Sequence, residues 1–159
     1  MLASTENFRS NFRIVSRTLI LLWLLLSSIA TAIEVNDDLG NPVSLQAPAQ
    51  RLITLSPATT EIALAAGGQH QLIAANNGPI KVAPEVMQIN TLGGLDRELI
   101  LTLKPDLVLA WGSGNRASDI AWLKSQGIAV YLSEPADMAQ LAASIRHIGR
   151  LLATETIAS

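Results

Sequence analysis

Arg51–Gly68, RLITLSPATTEIALAAGG, decides the fold. Leu52–Leu55 is a short apolar, β-favouring run. Ser56 follows as a good N-cap, and Pro57 suits the first helical position, where its missing N–H is no loss. A helix is predicted from there to about Ala66, stopped by Gly67-Gly68. The stretch is one strand–helix step.

Moving toward the C-terminus, the step repeats. Gln71–Ala75 reads as a strand, Asn76–Pro84 as a loop with Gly78, Pro79 and Pro84, and Glu85–Ile89 as a helical turn. Gly93-Gly94 opens another loop. Arg97–Leu103 is predicted helical with Leu99, Ile100 and Leu103 on one side, and Lys104-Pro105 ends it. Asp106–Ala110 (DLVLA) is near-continuously apolar, as expected of a strand buried on both faces. Trp111–Asn115 is its loop, Arg116–Gln126 a helix ended at Gly127, and Ile128–Leu132 the next strand. A final helix starts at Pro135-Ala136-Asp137, with Met138, Leu141, Ile145, Ile148 and Leu152 on its apolar face. Toward the N-terminus, Ile33–Asn36 and Val43–Leu45 flank the turn-rich Asp37–Pro42, which predicts a β-hairpin, and Gln46–Gln50 connects it to Arg51. The order predicts an α/β fold: a single Rossmann-like lobe with a mostly parallel sheet flanked by helices, preceded by a β-hairpin. Ligands of such sheets bind beyond the carboxyl ends of the strands. That rule selects the loops Ser56–Thr60, Asn76–Pro84, Leu92–Asp96 and Trp111–Asn115.

The first 32 residues read differently. Arg9, Arg13 and Arg17 precede the apolar run Leu19–Leu26, and Ala30-Thr31-Ala32 supplies small residues for cleavage. This is the three-part pattern of a secretory signal peptide, expected over residues 1–32. Leu19–Ala30 is shorter than the ~20 residues of a membrane-spanning helix, although an uncleaved anchor is the competing reading. The chain carries 11 basic and 13 acidic residues, a net of −2, with 15% charged and 49% hydrophobic residues. Removal of the leader leaves 8 basic and 12 acidic residues. A weakly acidic domain without a basic cluster argues against nucleic-acid binding. There is no cysteine, which excludes disulfides, thiolate metal sites, a cysteine nucleophile and a lipid anchor on cysteine. The expected location is a Gram-negative periplasm, where a second membrane retains an unanchored exported chain.

Reactive motifs are absent. No phosphate loop, GxGxxG, HExxH or GxSxG occurs. His70 and His147 are single and read as solvated, and the carboxylates are scattered, so no metal site and no cofactor is expected. No enzyme is therefore expected, and a periplasmic α/β hydrolase is the rival reading of another class.

At Arg51–Glu61 (RLITLSPATTE), Glu98–Trp111 (ELILTLKPDLVLAW), Gly114-Asn115, Gly127–Val130 (GIAV) and Ile145–Gly149 (IRHIG), the chain resembles the periplasmic cobalamin-binding protein family. These are substrate-binding proteins with a helical backbone that serve ABC importers. The Asp38-Leu39-Gly40 turn is common there too, and the likeness runs through Ile33–Leu152. The resemblance implies two α/β lobes joined by a long helix, with ligand between them. It assigns residues 33–136 to the N-terminal lobe and 137–159 to the start of the inter-lobe helical region, the C-terminal lobe being absent. It also implies capture of cobalamin or a related corrinoid for an inner-membrane ABC permease, with haem or a ferric siderophore as alternatives. Trp111 matches a tryptophan that lines the corrinoid pocket, and its plain alternative is a core cap. The ligand-binding candidates are Trp111, Gly112, Ser113, Gly114, Asn115, Ser56, Pro57, Leu92, Gly93 and Gly94. Two family aromatics are replaced: a Tyr-Pro pair by Val82-Ala83, and a tryptophan by Leu92. Lys81 and Arg116 are the loop cations that an anionic chelate would favour. Glu98 matches a family carboxylate that docks on permease arginines, and its plain alternative is an acid at a helix start.

Overall fold

In the computed structural model, residues 32–156 are described. The signal peptide expected over residues 1–32 lies, apart from Ala32, outside the described residues.

Alternation sets the first element. β1 (Ile33–Asn36) and β2 (Pro42–Leu45) pair antiparallel with Val35 opposite Val43. Val35, Val43 and Leu45 turn inward, and Glu34 and Ser44 outward. Asp37 closes the turn between them, one carboxylate oxygen accepting from Leu39 N at 3.0 Å and Asn41 N at 2.8 Å, while Gly40 takes the left-handed φ of +80°.

The Arg51–Gly68 step folds as its punctuation predicts. β3 (Leu52–Thr54) runs into α1 (Pro57–Ala65). Ser56 caps α1, and its hydroxyl and that of Thr59 each accept from the other's backbone N–H. Gly67 follows at φ +80° and leads into a 3₁₀ turn, Gly68–His70. Then come β4 (Leu72–Asn76), β5 (Met87–Ile89), α2 (Arg97–Leu103), β6 (Leu107–Trp111), α3 (Ala117–Ser125), β7 (Ala129–Ser133) and α4 (Met138–Leu152). α2 ends where Pro105 forbids continuation: Lys104 enters the left-handed region at φ 46°, and Arg51 Nε donates to Leu103 O at 2.9 Å, satisfying a terminal carbonyl.

The five strands β3–β7 form one parallel sheet in the order β5-β4-β3-β6-β7. Successive side chains point to opposite faces, so each strand feeds two cores. Leu107 and Leu109 pack with Leu52, Ala63, Ile148, Leu151 and the hairpin valines. Val108 and Ala110 pack with Ile53, Ile100, Ile120 and Leu123. The hairpin, α1 and α4 thus cover one face, and α2 and α3 the other.

Two expectations are corrected. Glu85–Ile89 is not a helical turn: Met87–Ile89 is the edge strand β5, paired with Ala74–Asn76. The free edge of β4 supplies the hydrogen bonds that no local periodicity announces. Met138 is not on the buried face of α4. It is 77% exposed, because it opens the helix at the sheet's rim, while Ile148, Leu151 and Leu152 carry the burial.

Candidate functional site

The chain leaves β3 toward β4 on one side and returns to β6 on the other, so β3 and β6 flank the point where strand order reverses. Such a point opens a crevice at the carboxyl ends of the strands. Here it is bridged by Asn115. Its Oδ1 accepts from Trp111 N at 2.7 Å and its Nδ2 donates to Leu55 O at 3.2 Å, so one side chain joins the ends of both strands. On the other flank, Ser113 Oγ donates to Glu134 Oε1 at 2.6 Å. A Cβ on Gly112 would press on the Glu134 carboxylate and the Leu39 side chain. The loop Trp111–Asn115 is therefore held from both sides.

Trp111 is the last residue of β6 and is 46% exposed. Its indole lies over Gly114, where any Cβ would overlap the ring. Glycine at 114 thus lets the indole rest on backbone, with its remaining surface toward solvent.

The held loop separates two concavities. One, of about 520 Å³, runs between α1 and α4 and is bounded by Ile62, Ala65, Trp111, Glu134, Pro135, Leu141 and Ile145 among others. The other, of about 210 Å³, is lined by Leu92, Gly93, Leu95, Gly114, Asn115, Arg116 and Asp119, with Leu55 and Thr91. The sequence-predicted residues divide accordingly. Trp111 faces the first; Leu92, Gly93, Gly114 and Asn115 line the second, and Gly94 lies beside it against Arg116. Ser56 is buried in its cap, and Pro57 packs on Gly78. Neither lines either concavity.

Sequence reasoning did not single out Leu39, Glu134 or Met138 for this rim. Of the exposed large apolar side chains, Leu39 and Leu92 sit in turns, Trp111 ends β6 and Met138 opens α4, all at the carboxyl edge of the sheet. Leu39 comes there through the hairpin: Asp38 N donates to Leu132 O at 3.1 Å, and Glu134 N donates to the Asp38 carboxylate at 2.8 Å. No spacing signal joins residue 39 to residue 134.

Glu98 stands exposed in the first turn of α2, whose N-cap is Asp96. His70 is exposed and His147 half-buried. Among the described residues no group of three or more His, Cys, Asp or Glu is placed to hold a metal ion, and no helix is long and apolar enough to cross a membrane.

Known proteins are similar to this chain in sequence and in fold. The vitamin B12-binding protein of Vibrio vulnificus (strain YJ016) is 37% identical over 111 residues, covering 68% of this chain and 41% of that protein. That of Photorhabdus laumondii is 38% identical over 107 residues, covering 66% and 39%. The crystal structure of the periplasmic vitamin B12 binding protein BtuF of Vibrio cholerae superposes with a TM-score of 0.63 at 34% identity, covering 70% of this chain and 44% of that one.

This chain is a relative of the vitamin B12-binding proteins.

It spans about two fifths of the length of these vitamin B12-binding relatives. The haem-binding protein HmuT aligns over 83% of this chain with a TM-score of 0.65, and at 22% identity it shares the fold alone. No protein-family model matches.

Proposed function

We propose that the chain is part of a periplasmic solute-binding component of an ABC importer that binds cobalamin or a related corrinoid and delivers it to an inner-membrane permease, without covalent chemistry. The observation that carries this reading is the apolar rim on a vitamin B12-binding-protein fold: Leu39, Leu92, Trp111 and Met138 exposed together at the strand ends. A macrocycle gains affinity by laying its flat face on such side chains, and an indole resting on a glycine offers one at little entropic cost. The carboxylate of Glu98, exposed at the start of α2, suits steering toward permease arginines.

Absorbance titration of the purified chain with cyanocobalamin, cobinamide and haem tests the reading. The expected result is a spectral shift with a corrinoid, weakened about tenfold or more by Trp111→Ala, the equivalent of roughly 1.4 kcal/mol. A shift with haem alone would replace the ligand, and turnover of ester or phosphoester substrates would favour the hydrolase. Glu98→Arg, placed in a chain extended to the relatives' length, is expected to slow uptake without changing solute affinity. Unchanged uptake would remove that role.

A further inference from the structure

The smaller concavity differs from the Trp111 groove in carrying an exposed arginine, Arg116, that has no ion-pair partner among the described residues. Arg116 and Asp119 both line it, and their situations are opposite. Asp119 is buried. One of its carboxylate oxygens accepts from Leu95 N at 3.2 Å, and the other faces Arg97 at 3.8 Å. Arg97 in turn lies over the Trp122 ring, 5.2 Å from its centroid. The negative charge is thus already shared between an amide and a fixed guanidinium. Arg116 has no such partner: among the described residues the ion pairs are Arg97–Asp119 and Arg150–Glu155.

The loop beneath Arg116 is shaped around it. Gly94 takes φ +116°, and a Cβ there would lie 3.0 Å from Arg116 Nη1. A side chain at 94 would therefore make the guanidinium give way by a few tenths of an ångström. Arg116 is also the N-cap residue of α3, no side chain caps that helix, and Asp119 in its first turn faces the partial positive charge of its opening amides. A planar guanidinium free of internal partners matches the paired oxygens of a carboxylate or phosphodiester.

We infer that Arg116 makes this cavity an oxyanion subsite, taking a carboxylate or phosphodiester on the periphery of the solute held at the rim. The inference rests on the corrinoid reading above and narrows it: the side of the ring facing the Leu92–Asp96 loop carries the anionic substituent.

Two pairs of compounds test it with the purified chain at low ionic strength. Cobyrinic acid and its heptamethyl ester share a ring and differ in carboxylate charge; cyanocobalamin and cobinamide differ by the phosphodiester-linked nucleotide. At least one pair is expected to show about a tenfold preference for the anionic member, as one charge-assisted contact would give. Arg116→Gln is expected to abolish that preference. Equal affinities within both pairs, or a preference that survives Arg116→Gln, would overturn the subsite while the ester and cobinamide, by binding, still uphold the corrinoid reading. Failure of all four to bind would overturn both.

Discussion

The Tyr131 hydroxyl, in the middle of β7, donates to an Asp38 carboxylate oxygen at 2.7 Å, tying the hairpin turn to the end of the sheet. The same carboxylate accepts from Ser144 Oγ at 2.6 Å, from Ser133 Oγ at 3.2 Å and from Glu134 N at 2.8 Å. One side chain thereby joins the hairpin, β7 and α4, and positions Leu39 and Glu134 at the rim.

Asp38→Ala removes the acceptor of the buried Tyr131 hydroxyl and one of the two acceptors of the buried Ser144 hydroxyl, the other being Gln140 O. An unsatisfied buried polar group costs about 1–3 kcal/mol, so a loss of about 3 kcal/mol is expected in urea denaturation, with Asp38→Asn losing less. An unchanged midpoint would mean that apolar contacts alone hold the hairpin.

Tyr131 also sets an alkaline limit. Burial first, then the hydrogen bond to Asp38 and its negative charge, hold the phenol far above the ordinary tyrosine value of 10.0. The unfolded chain releases this proton near 10.0 while the folded chain keeps it, so stability is full below that pH and declines as pH rises above it. Thermal melts from pH 8 to 11 are expected to fall more steeply in the wild type than in Tyr131→Phe. At neutral pH, Tyr131→Phe costs about 1 kcal/mol for the lost hydrogen bond.

Ser56 acts on stability through its cap. Ser56→Ala removes the hydroxyl that accepts from Thr59 N, while the bond from the residue-56 N–H to Thr59 Oγ1 remains, and is expected to cost about 1 kcal/mol. Solute affinity measured well below the melting temperature should not change; a loss there would place Ser56 in the binding surface.

Gly114 positions the indole. In Gly114→Ala the new methyl displaces Trp111, so a shifted tryptophan emission spectrum and a roughly tenfold weaker corrinoid affinity are expected, with little change in the melting temperature. Wild-type emission together with wild-type affinity would show that the ring does not rest on residue 114.

Gly68 tests the packing of α4. A Cβ there would stand 2.8 Å from Leu152 Cδ1 and 2.9 Å from Ala63 O. Gly68→Ala is expected to cost about 1–3 kcal/mol by overpacking, read as a lower melting temperature.

The elements with strong local punctuation were legible without coordinates. Ser56-Pro57 and Gly67 bound α1, Lys104-Pro105 ends α2, and Gly127 ends α3, each within a residue or so of its expected place. Caps, prolines and glycines act over three or four neighbours, so their effect is written locally. The continuous apolar run Leu107–Ala110 likewise announced a strand buried on both faces. β5 was misread because its pairing with Ala74–Asn76 comes from another segment. The candidate loops follow β3, β4, β5 and β6, but their division into a Trp111 groove and an Arg116 pocket was not legible. That division depends on Asn115 reaching back to Leu55, 60 positions away, and on Asp38 meeting Ser144, 106 positions away. Local sequence determined which segments become strands, helices and rim loops; only the tertiary structure decided which side chains share a cavity, because contacts between distant segments exist only once the sheet has assembled.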